Sequence, residues 1–136
     1  MQNKSIDYLI IGPAHPYRGG IAETNHELAL AFKKNGKKVQ IWTFNKLYPN
    51  FIFPGKTQFS NQNAPKNIDI KRMIHAYSPF RWYSVVKEIK ALNPQVMVFP
   101  FQGDVRDKDS IERFLNECEA NFGELDIFIN KKLIAF

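Results

Sequence analysis

The stretch "IDYLIIGPAHPYRGGIAETNHELALAFKKNGKKVQIWTF", residues 6–44, decides the fold class of this 136-residue chain. It opens with a short apolar run closed by Gly-Pro, which is typical of a buried parallel strand. A glycine-bearing loop follows. From Gly20 to Asn35, apolar residues recur at helical spacing and predict an amphipathic helix, and Gly36 is its predicted C-terminal cap. Apolar and polar residues alternate over residues 37–44 and predict a second strand. The stretch therefore predicts a βαβ unit.

Strands and helices continue to alternate after this unit. Residues 45–67 hold three prolines among aromatic residues and predict a long loop. Residues 68–77 predict a third strand, and residues 95–101 predict another. Between these strands, Ser78 and Pro79 provide an N-cap and a first helical residue for a second helix. The predicted apolar face of that helix consists of Trp82, Val85, Val86, Ile89 and Leu92.

The last third of the sequence predicts one more helix and two more strands. Asp109 with Glu112 forms a capping-box-like helix start, and strands are predicted at residues 125–130 and 131–136. The predicted apolar stripe of this helix consists of Ile111, Phe114, Leu115, Cys118 and Phe122. Together the elements predict one Rossmann-like domain over residues 1–136. Its fold class is α/β, with a doubly wound, mainly parallel sheet and helices on both faces.

Composition narrows the class of protein. A single cysteine, Cys118, excludes an internal disulfide and a cysteine-based zinc site, and no metal is expected. The N-terminal apolar run is too short for a signal peptide or a membrane span, so a cytoplasmic protein is expected. Residues 1–101 hold fourteen basic against five acidic side chains, whereas residues 102–136 hold five against eight. This asymmetry predicts a basic surface on the first part of the chain.

The loop before the first helix carries the candidate ligand-binding residues. Gly19 and Gly20 lack Cβ atoms, and a helix N-terminus offers free N–H groups to an anion such as a diphosphate. Arg18 adds a forked donor, and His15 can orient a substrate hydroxyl or act as a base. The alternative is a tight turn with a solvated histidine, and the sequence leaves both interpretations open. The spacing does not match G-x-G-x-x-G.

Basic and aromatic residues are interleaved around the second strand and the long loop. The set comprises Lys33, Lys34, Lys37, Lys38, Lys46 and Lys56, with Trp42, Tyr48, Phe51 and Phe53. Such a region can stack single-stranded bases or make a weak contact with an anionic membrane surface; the alternative is a helix end beside a partly buried loop. No RNA-recognition signature accompanies it, so nucleic acid is not an expected partner. His26 and His75 are interpreted as structural.

Residues 1–101 resemble a known enzyme domain. The segments "IDYLIIGPAHPYRGGIAETNHELALAFKKNGKKVQIWTF", "NFIFPGKTQFS" and "YSPFRWYSVVKEIKALNPQVMVFPF" are similar to the N-terminal domain of a family-4 glycosyltransferase of the two-domain GT-B type. The resemblance implies a domain that faces the sugar acceptor, with Gly19 and Gly20 near the diphosphate of a nucleotide-sugar donor. The donor-binding domain of that family has no counterpart in this sequence. The resemblance therefore implies a truncated domain that is inactive alone.

Residues 102–130, "QGDVRDKDSIERFLNECEANFGELDIFIN", resemble the middle of a short-chain dehydrogenase/reductase. The resemblance implies that Asp104 and Val105 meet the adenine of NAD(P), and that Asn130 opens the family's N-N-A-G motif. Lys131 stands where the second Asn of that motif should be. The family's T-G-x-x-x-G-x-G loop, its serine and its Tyr-x-x-x-Lys pair are expected to be missing. Hydride transfer is therefore not expected, and no catalytic residue is predicted.

These resemblances lead to three hypotheses. The first is a chimera, in which the truncated glycosyltransferase domain of residues 1–101 carries a reductase-like helix–strand unit at residues 102–130; a natural but divergent domain is the alternative. The second is an NAD(P)-type nucleotide-binding module of the short-chain dehydrogenase/reductase type. The third is a scaffold without a ligand. The apolar terminal strand at residues 131–136 also predicts self-association.

Overall fold

Seven regular elements are visible in the computed structural model, which describes residues 5–46, 59–75, 78–99 and 107–122. The backbone forms two compact units, residues 1–100 and residues 101–136. The elements of the first unit are β1 (Tyr8–Ile11), α1 (Gly20–Lys34), β2 (Val39–Lys46), β3 (Asp69–His75), α2 (Pro79–Leu92) and β4 (Val96–Val98). The second unit contains α3 (Lys108–Phe122). The predicted single domain over residues 1–136 stays a prediction.

The four strands form one parallel sheet in the order β3–β2–β1–β4. Tyr8 of β1 pairs with Val39 of β2 on one side and with Val96 of β4 on the other. The β2–β3 ladder shifts its register after Thr43 and again after Phe44, so its carboxyl end is irregular. The predicted α/β, Rossmann-like fold is confirmed.

Alternating side chains of β1 and β2 divide the core of the first unit into two layers, because successive residues of a strand face opposite sides of the sheet. Ile10 and Ile41 pack with Ala29 of α1 on one face. Leu9 and Trp42 form the core of the other face. The α2 side chains that pack there are Val85, Ile89 and Leu92. The predicted helices on both faces of the sheet are therefore confirmed.

The end of α1 follows the glycine signal in the sequence. Gly36 adopts a left-handed conformation with φ 74°, and its N–H donates to the Lys33 carbonyl at 2.9 Å. The Lys37 N–H donates to the Phe32 carbonyl at 3.1 Å. These two bonds form a Schellman motif, in which glycine is favoured because it has no Cβ. The predicted cap at Gly36 is confirmed.

Details of α2 and α3 correct the sequence prediction. Ser78 stands at the N-cap position of α2, but its side chain makes no capping hydrogen bond. Trp82 and Val86 are each 48% exposed, whereas Val85, Ile89 and Leu92 pack against the sheet, so the buried face is narrower than the predicted five-residue face. The carbonyl of Asp107 accepts the N–H of Ile111, so α3 begins before Asp109, which lies in its first turn instead of capping it. An aspartate two residues earlier can fill the cap equally well.

Several predictions fall outside the described residues. They include most of the long loop, the strands at residues 125–130 and 131–136, and the terminal strand's self-association. Glu112 and Glu119 of α3 are both exposed. Within the described parts of the chain, no helix has both the length and the apolar character that a membrane span needs.

Candidate functional site

The strand order singles out the carboxyl end of β1. This strand lies between β2, to which α1 leads, and β4 on the opposite side. In open parallel sheets, ligands bind outside the carboxyl ends of the strands, at the point where the strand order reverses. The loop of residues 12–19, which joins β1 to α1, lies at this point.

Buried hydrogen bonds fix this loop to the neighbouring strand and helix. The Ala14 N–H donates to Thr43 Oγ1 of β2 at 3.1 Å, and Asn25 Nδ2 of α1 donates to the Pro13 carbonyl at 2.8 Å. Thr43 and Asn25 are both buried. Because a buried polar group without a partner is costly, these bonds strongly favour one loop conformation.

His26 supplies a further anchor from the inner face of α1. The His15 backbone N–H donates to His26 Nε2 at 2.9 Å, so this ring nitrogen is the acceptor and the proton resides on Nδ1. Burial of the imidazole lowers the pKa of His26 below its usual value of 6.5; the nearby Glu23 carboxylate partly opposes this, and His15 adds to it. The neutral ring that burial favours is also the form that can accept the loop N–H.

A second segment, residues 59–62, contacts the loop. The Ser60 N–H donates to the Pro16 carbonyl at 2.7 Å, and the ring centroids of Tyr17 and Phe59 lie 5.4 Å apart. The His15 ring donates from Nε2 to the Gln62 carbonyl at 3.0 Å. A cavity of about 60 Å³ lies here, lined by His15, Tyr17, Glu23, His26, Ser60, Gln62, Asn63 and Pro65. The buried Tyr17 hydroxyl has no hydrogen-bond partner among the described residues.

The loop ends at an exposed arginine followed by two exposed glycines. Arg18, Gly19 and Gly20 are exposed, and a Cβ added at either glycine would meet no atom within 4 Å. Gly19 has φ 131°, a conformation that L side chains rarely adopt. The N–H groups in the first turn of α1 have no acceptor within the helix. An anion can therefore reach these N–H groups beside the Arg18 guanidinium.

The carboxyl ends of β2 and β3 carry a second polar cluster. His75 Nε2 accepts from Asn45 Nδ2 at 2.8 Å and from Arg81 Nη1 at 2.7 Å, and the His75 carbonyl accepts the Trp82 indole N–H at 2.6 Å. Arg72 donates to the carbonyls of Phe44 and Asn45. A cavity of about 270 Å³ beside this cluster is lined by Met73, His75, Arg81, Ser84, Val85 and Glu88. His75 thus joins the start of α2 to the sheet.

The structural role predicted for His26 is confirmed, but the sequence interpretation did not identify the loop contact that His26 makes, and it missed Asn25. Asn25 and His26 are buried along with Ala22 and Ala29, and these four positions have the i, i+3, i+4, i+7 spacing of one helix face. That spacing was a readable signal for inward-facing polar side chains. Trp42 is only 3% exposed, so it cannot belong to the proposed basic and aromatic surface. The indole packs in the core because β2 alternates its faces.

One expectation about the reductase motifs was wrong. The spacing Tyr-x-x-x-Lys does occur in the sequence, at Tyr83 and Lys87 of α2. Both side chains are exposed, neither lines either cavity, and the pair precedes Asp104 in the chain. The spacing alone therefore assembles no catalytic site here.

Among the described residues, no group of three His, Cys, Asp or Glu side chains could hold a metal ion.

The residues implied for adenine binding are not described by the structure. Asp104, Val105 and Asn130 lie outside the described ranges, so their roles stay predictions. Of the phosphate-site candidates, Arg18, Gly19 and Gly20 are presented together at the start of α1. His15 instead contacts His26 and Gln62 on the side of the small cavity.

Comparison with known proteins supports a reductase-like segment. A family model described as short chain dehydrogenase matches residues 67–131, just under half of the chain, and no glycosyltransferase family is supported. The matched segment contains β3, α2, β4 and α3. No curated protein and no solved structure matches the chain. The similarity begins at residue 67, before the predicted start at residue 102, and crosses the predicted boundary of the chimera.

Proposed function

We propose that the chain is a nucleotide-binding module of the short-chain dehydrogenase type, which receives the diphosphate of an NAD(P)-type dinucleotide at the start of α1. The observation that carries this proposal is the pair of exposed glycines, Gly19 and Gly20, where the loop that follows the carboxyl end of β1 enters α1. Dinucleotides bind at this position in Rossmann-type sheets. The short chain dehydrogenase similarity of residues 67–131 supports the same class of ligand.

The charges around the loop favour one side of it for the diphosphate. Arg18 and the free N–H groups of the first turn of α1 lie on the open side. Glu23 lines the small cavity, and a carboxylate there would repel a phosphate. The diphosphate would therefore lie over Gly19 and Gly20, outside the cavity that His15 and His26 line.

The end of β2 favours a phosphorylated ribose over an unmodified one. In Rossmann-type sites, an Asp or Glu about 20 residues after the glycines binds the ribose 2′-hydroxyl of NAD, whereas a nearby Arg accommodates the 2′-phosphate of NADP. Here Asn45 is the next-to-last residue of β2, and the guanidinium groups of Arg72 and Arg81 contact the same polar cluster. NADP is thus the preferred dinucleotide under this proposal.

A second candidate function is the acceptor-side domain of a nucleotide-sugar-dependent glycosyltransferase. The observation that favours it is the loop of residues 12–20, which has no T-G-x-x-x-G-x-G pattern and lies outside the segment matched to short chain dehydrogenases. This candidate also places a diphosphate near Gly19 and Gly20. The two candidates differ in the rest of the ligand. The second would bind a uridine or guanosine diphosphate sugar, whereas the first would bind an adenine dinucleotide.

Ligand titration separates the two candidates. The full chain would be titrated with NADP⁺, NAD⁺, UDP-glucose and GDP-mannose by isothermal calorimetry. Under the first proposal NADP⁺ binds, NAD⁺ binds more weakly, and the nucleotide-sugars do not bind. Binding of a nucleotide-sugar without NADP⁺ binding would favour the second candidate, and no binding of any of the four at millimolar ligand would remove both.

Variants locate the binding site. Gly20→Ala should weaken NADP⁺ binding at least about tenfold, because the added methyl group would occupy the space of the diphosphate. Its fold should be unaffected, since that methyl group meets no protein atom within 4 Å. Gly36→Ala, at the other end of α1, is the matched control and should leave affinity unchanged. Asp104→Ala should weaken NADP⁺ binding under the first proposal and leave nucleotide-sugar binding unchanged under the second.

A further inference from the structure

The outer face of α2 carries a stripe of aromatic and basic side chains that the proposed nucleotide site does not use. Its members are Phe80, Tyr83, Lys87 and Lys90, spaced i, i+3, i+7 and i+10, so they follow one side of the helix for about 15 Å. We call these four residues the α2 stripe. Phe80 is 94% exposed and Tyr83 is 79% exposed. Large apolar side chains exposed together are unusual on a protein that has no partner.

The α2 stripe lies opposite the helix face that contacts the sheet. Val85, Ile89 and Leu92 pack against the core beneath α2. Trp82 is held beside the stripe by its indole hydrogen bond to His75, and Val86 extends the apolar surface by one more exposed side chain. The helix therefore packs on the sheet through one face and presents Phe80 and Tyr83 on the opposite face.

Charge on this face is of one sign. Lys87 and Lys90 are exposed, and neither has an ion pair among the described residues. Arg81 is also exposed, but it belongs to the flank that carries Glu88, where its guanidinium donates to His75. Glu88, the acidic residue of α2, lies about 100° around the helix from Lys87 and lines the cavity at its flank. The stripe thus combines apolar rings with uncompensated positive charge.

We propose that the α2 stripe is a docking surface for an anionic lipid bilayer. Aromatic rings and lysines on one helix face are the combination that binds the membrane interface: the rings enter the headgroup region, and the ammonium groups reach the lipid phosphates. The fourteen basic against five acidic side chains of residues 1–101 add long-range attraction to such a surface. The spacing Tyr-x-x-x-Lys at Tyr83 and Lys87 is then part of a lipid contact and not of a catalytic site.

A second copy of this chain fits the stripe poorly. In a two-fold dimer the stripe would meet itself, which would bring four lysine ammonium groups into one interface without a carboxylate on the stripe to balance them. An acidic protein surface would satisfy the charge, but a lipid bilayer also accepts Phe80 and Tyr83 without a preformed pocket. The bilayer is therefore the occupant that matches both parts of the stripe.

Vesicle sedimentation tests the proposal with the full chain. We expect binding to vesicles of phosphatidylcholine with phosphatidylglycerol, weaker binding at high salt, and little binding to phosphatidylcholine alone. Lys87→Gln with Lys90→Gln should weaken binding about 30-fold, because each lysine near an anionic surface contributes about fivefold. Phe80→Ser with Tyr83→Ser should weaken it at least about tenfold. Circular dichroism would verify that these exposed substitutions leave the fold intact.

Matched controls keep the test specific. Lys34→Gln with Lys37→Gln removes the same charge at the end of α1, and Leu30→Ala removes an exposed apolar side chain of that helix. Both controls should bind vesicles within about twofold of the unmodified chain. The proposal is overturned by absence of binding to anionic vesicles or by an equal loss in the charge control. It is equally overturned by concentration-dependent dimers that Phe80→Ser abolishes, which would identify a second copy as the occupant.

Discussion

Substitution of His26 tests whether this ring holds the β1–α1 loop. Gln at position 26 can place an amide oxygen where His26 Nε2 accepts the His15 N–H, whereas Leu fills similar space without an acceptor. An unpartnered buried N–H costs about 1–3 kcal/mol. His26→Leu should therefore be less stable than His26→Gln by about that amount, toward the lower end because leucine gains apolar burial. Urea unfolding followed by tryptophan fluorescence measures the difference, since Trp42 is buried in the same unit.

Acid should weaken the unmodified chain through the same ring. Burial lowers the folded-state pKa of His26 below 6.5, so the unfolded chain takes up this proton first as the pH falls through 6.5. Stability is therefore lost between pH 6.5 and the lower folded pKa, and is fully present above about pH 7.5. His26→Gln should remove this part of the pH dependence. If both proteins lose stability in parallel between pH 7.5 and 5.5, or if the Leu and Gln variants are equally stable, the anchoring role is refuted.

Two further predictions concern the ends of the helices. Gly36→Ala should lower the free energy of unfolding by about 1 kcal/mol, because alanine is strained at φ 74°; equal stability in urea unfolding would mean that the Schellman motif is absent in solution. Ser78→Ala should change stability by less than about 0.5 kcal/mol, below the typical loss of about 1 kcal/mol at an N-cap, because the Ser78 side chain makes no capping bond. A larger loss in thermal unfolding would show that a capping bond forms.

The sheet and its helices could be predicted because their signals are local. The apolar run of β1, the cap at Gly36 and the Ser-Pro start of α2 each depend on a few neighbouring residues. The partial exposure of Trp82 and Val86 could not be read in this way. Periodicity gives the direction in which a side chain points but not how far the neighbouring sheet extends beneath the helix.

The candidate site was only half predictable for a similar reason. Glycines before a helix predict where an anion can approach, and this interpretation needs no tertiary information. The contacts of Thr43 with Ala14 and of His15 with Gln62 join residues far apart in sequence. Such pairs depend on strand order and loop path, which no local pattern specifies. The guanidinium cluster of Arg72 and Arg81 was missed for the same reason.

The inner face of α1 buries two polar side chains, Asn25 and His26, that bind the backbone of the β1–α1 loop. Leucine at position 25 or 26 would bury more apolar surface, yet the sequence places an amide and an imidazole there and satisfies them with loop backbone groups. Such polar interactions add little net stability compared with well-packed apolar side chains, but they specify one geometry. A turn that merely connected β1 to α1 would not need that geometry. Departures from the simplest stable choice are expected where a site must be held in position. The anchored loop therefore supports the proposed ligand site at Gly19 and Gly20 over the alternative of a solvated turn.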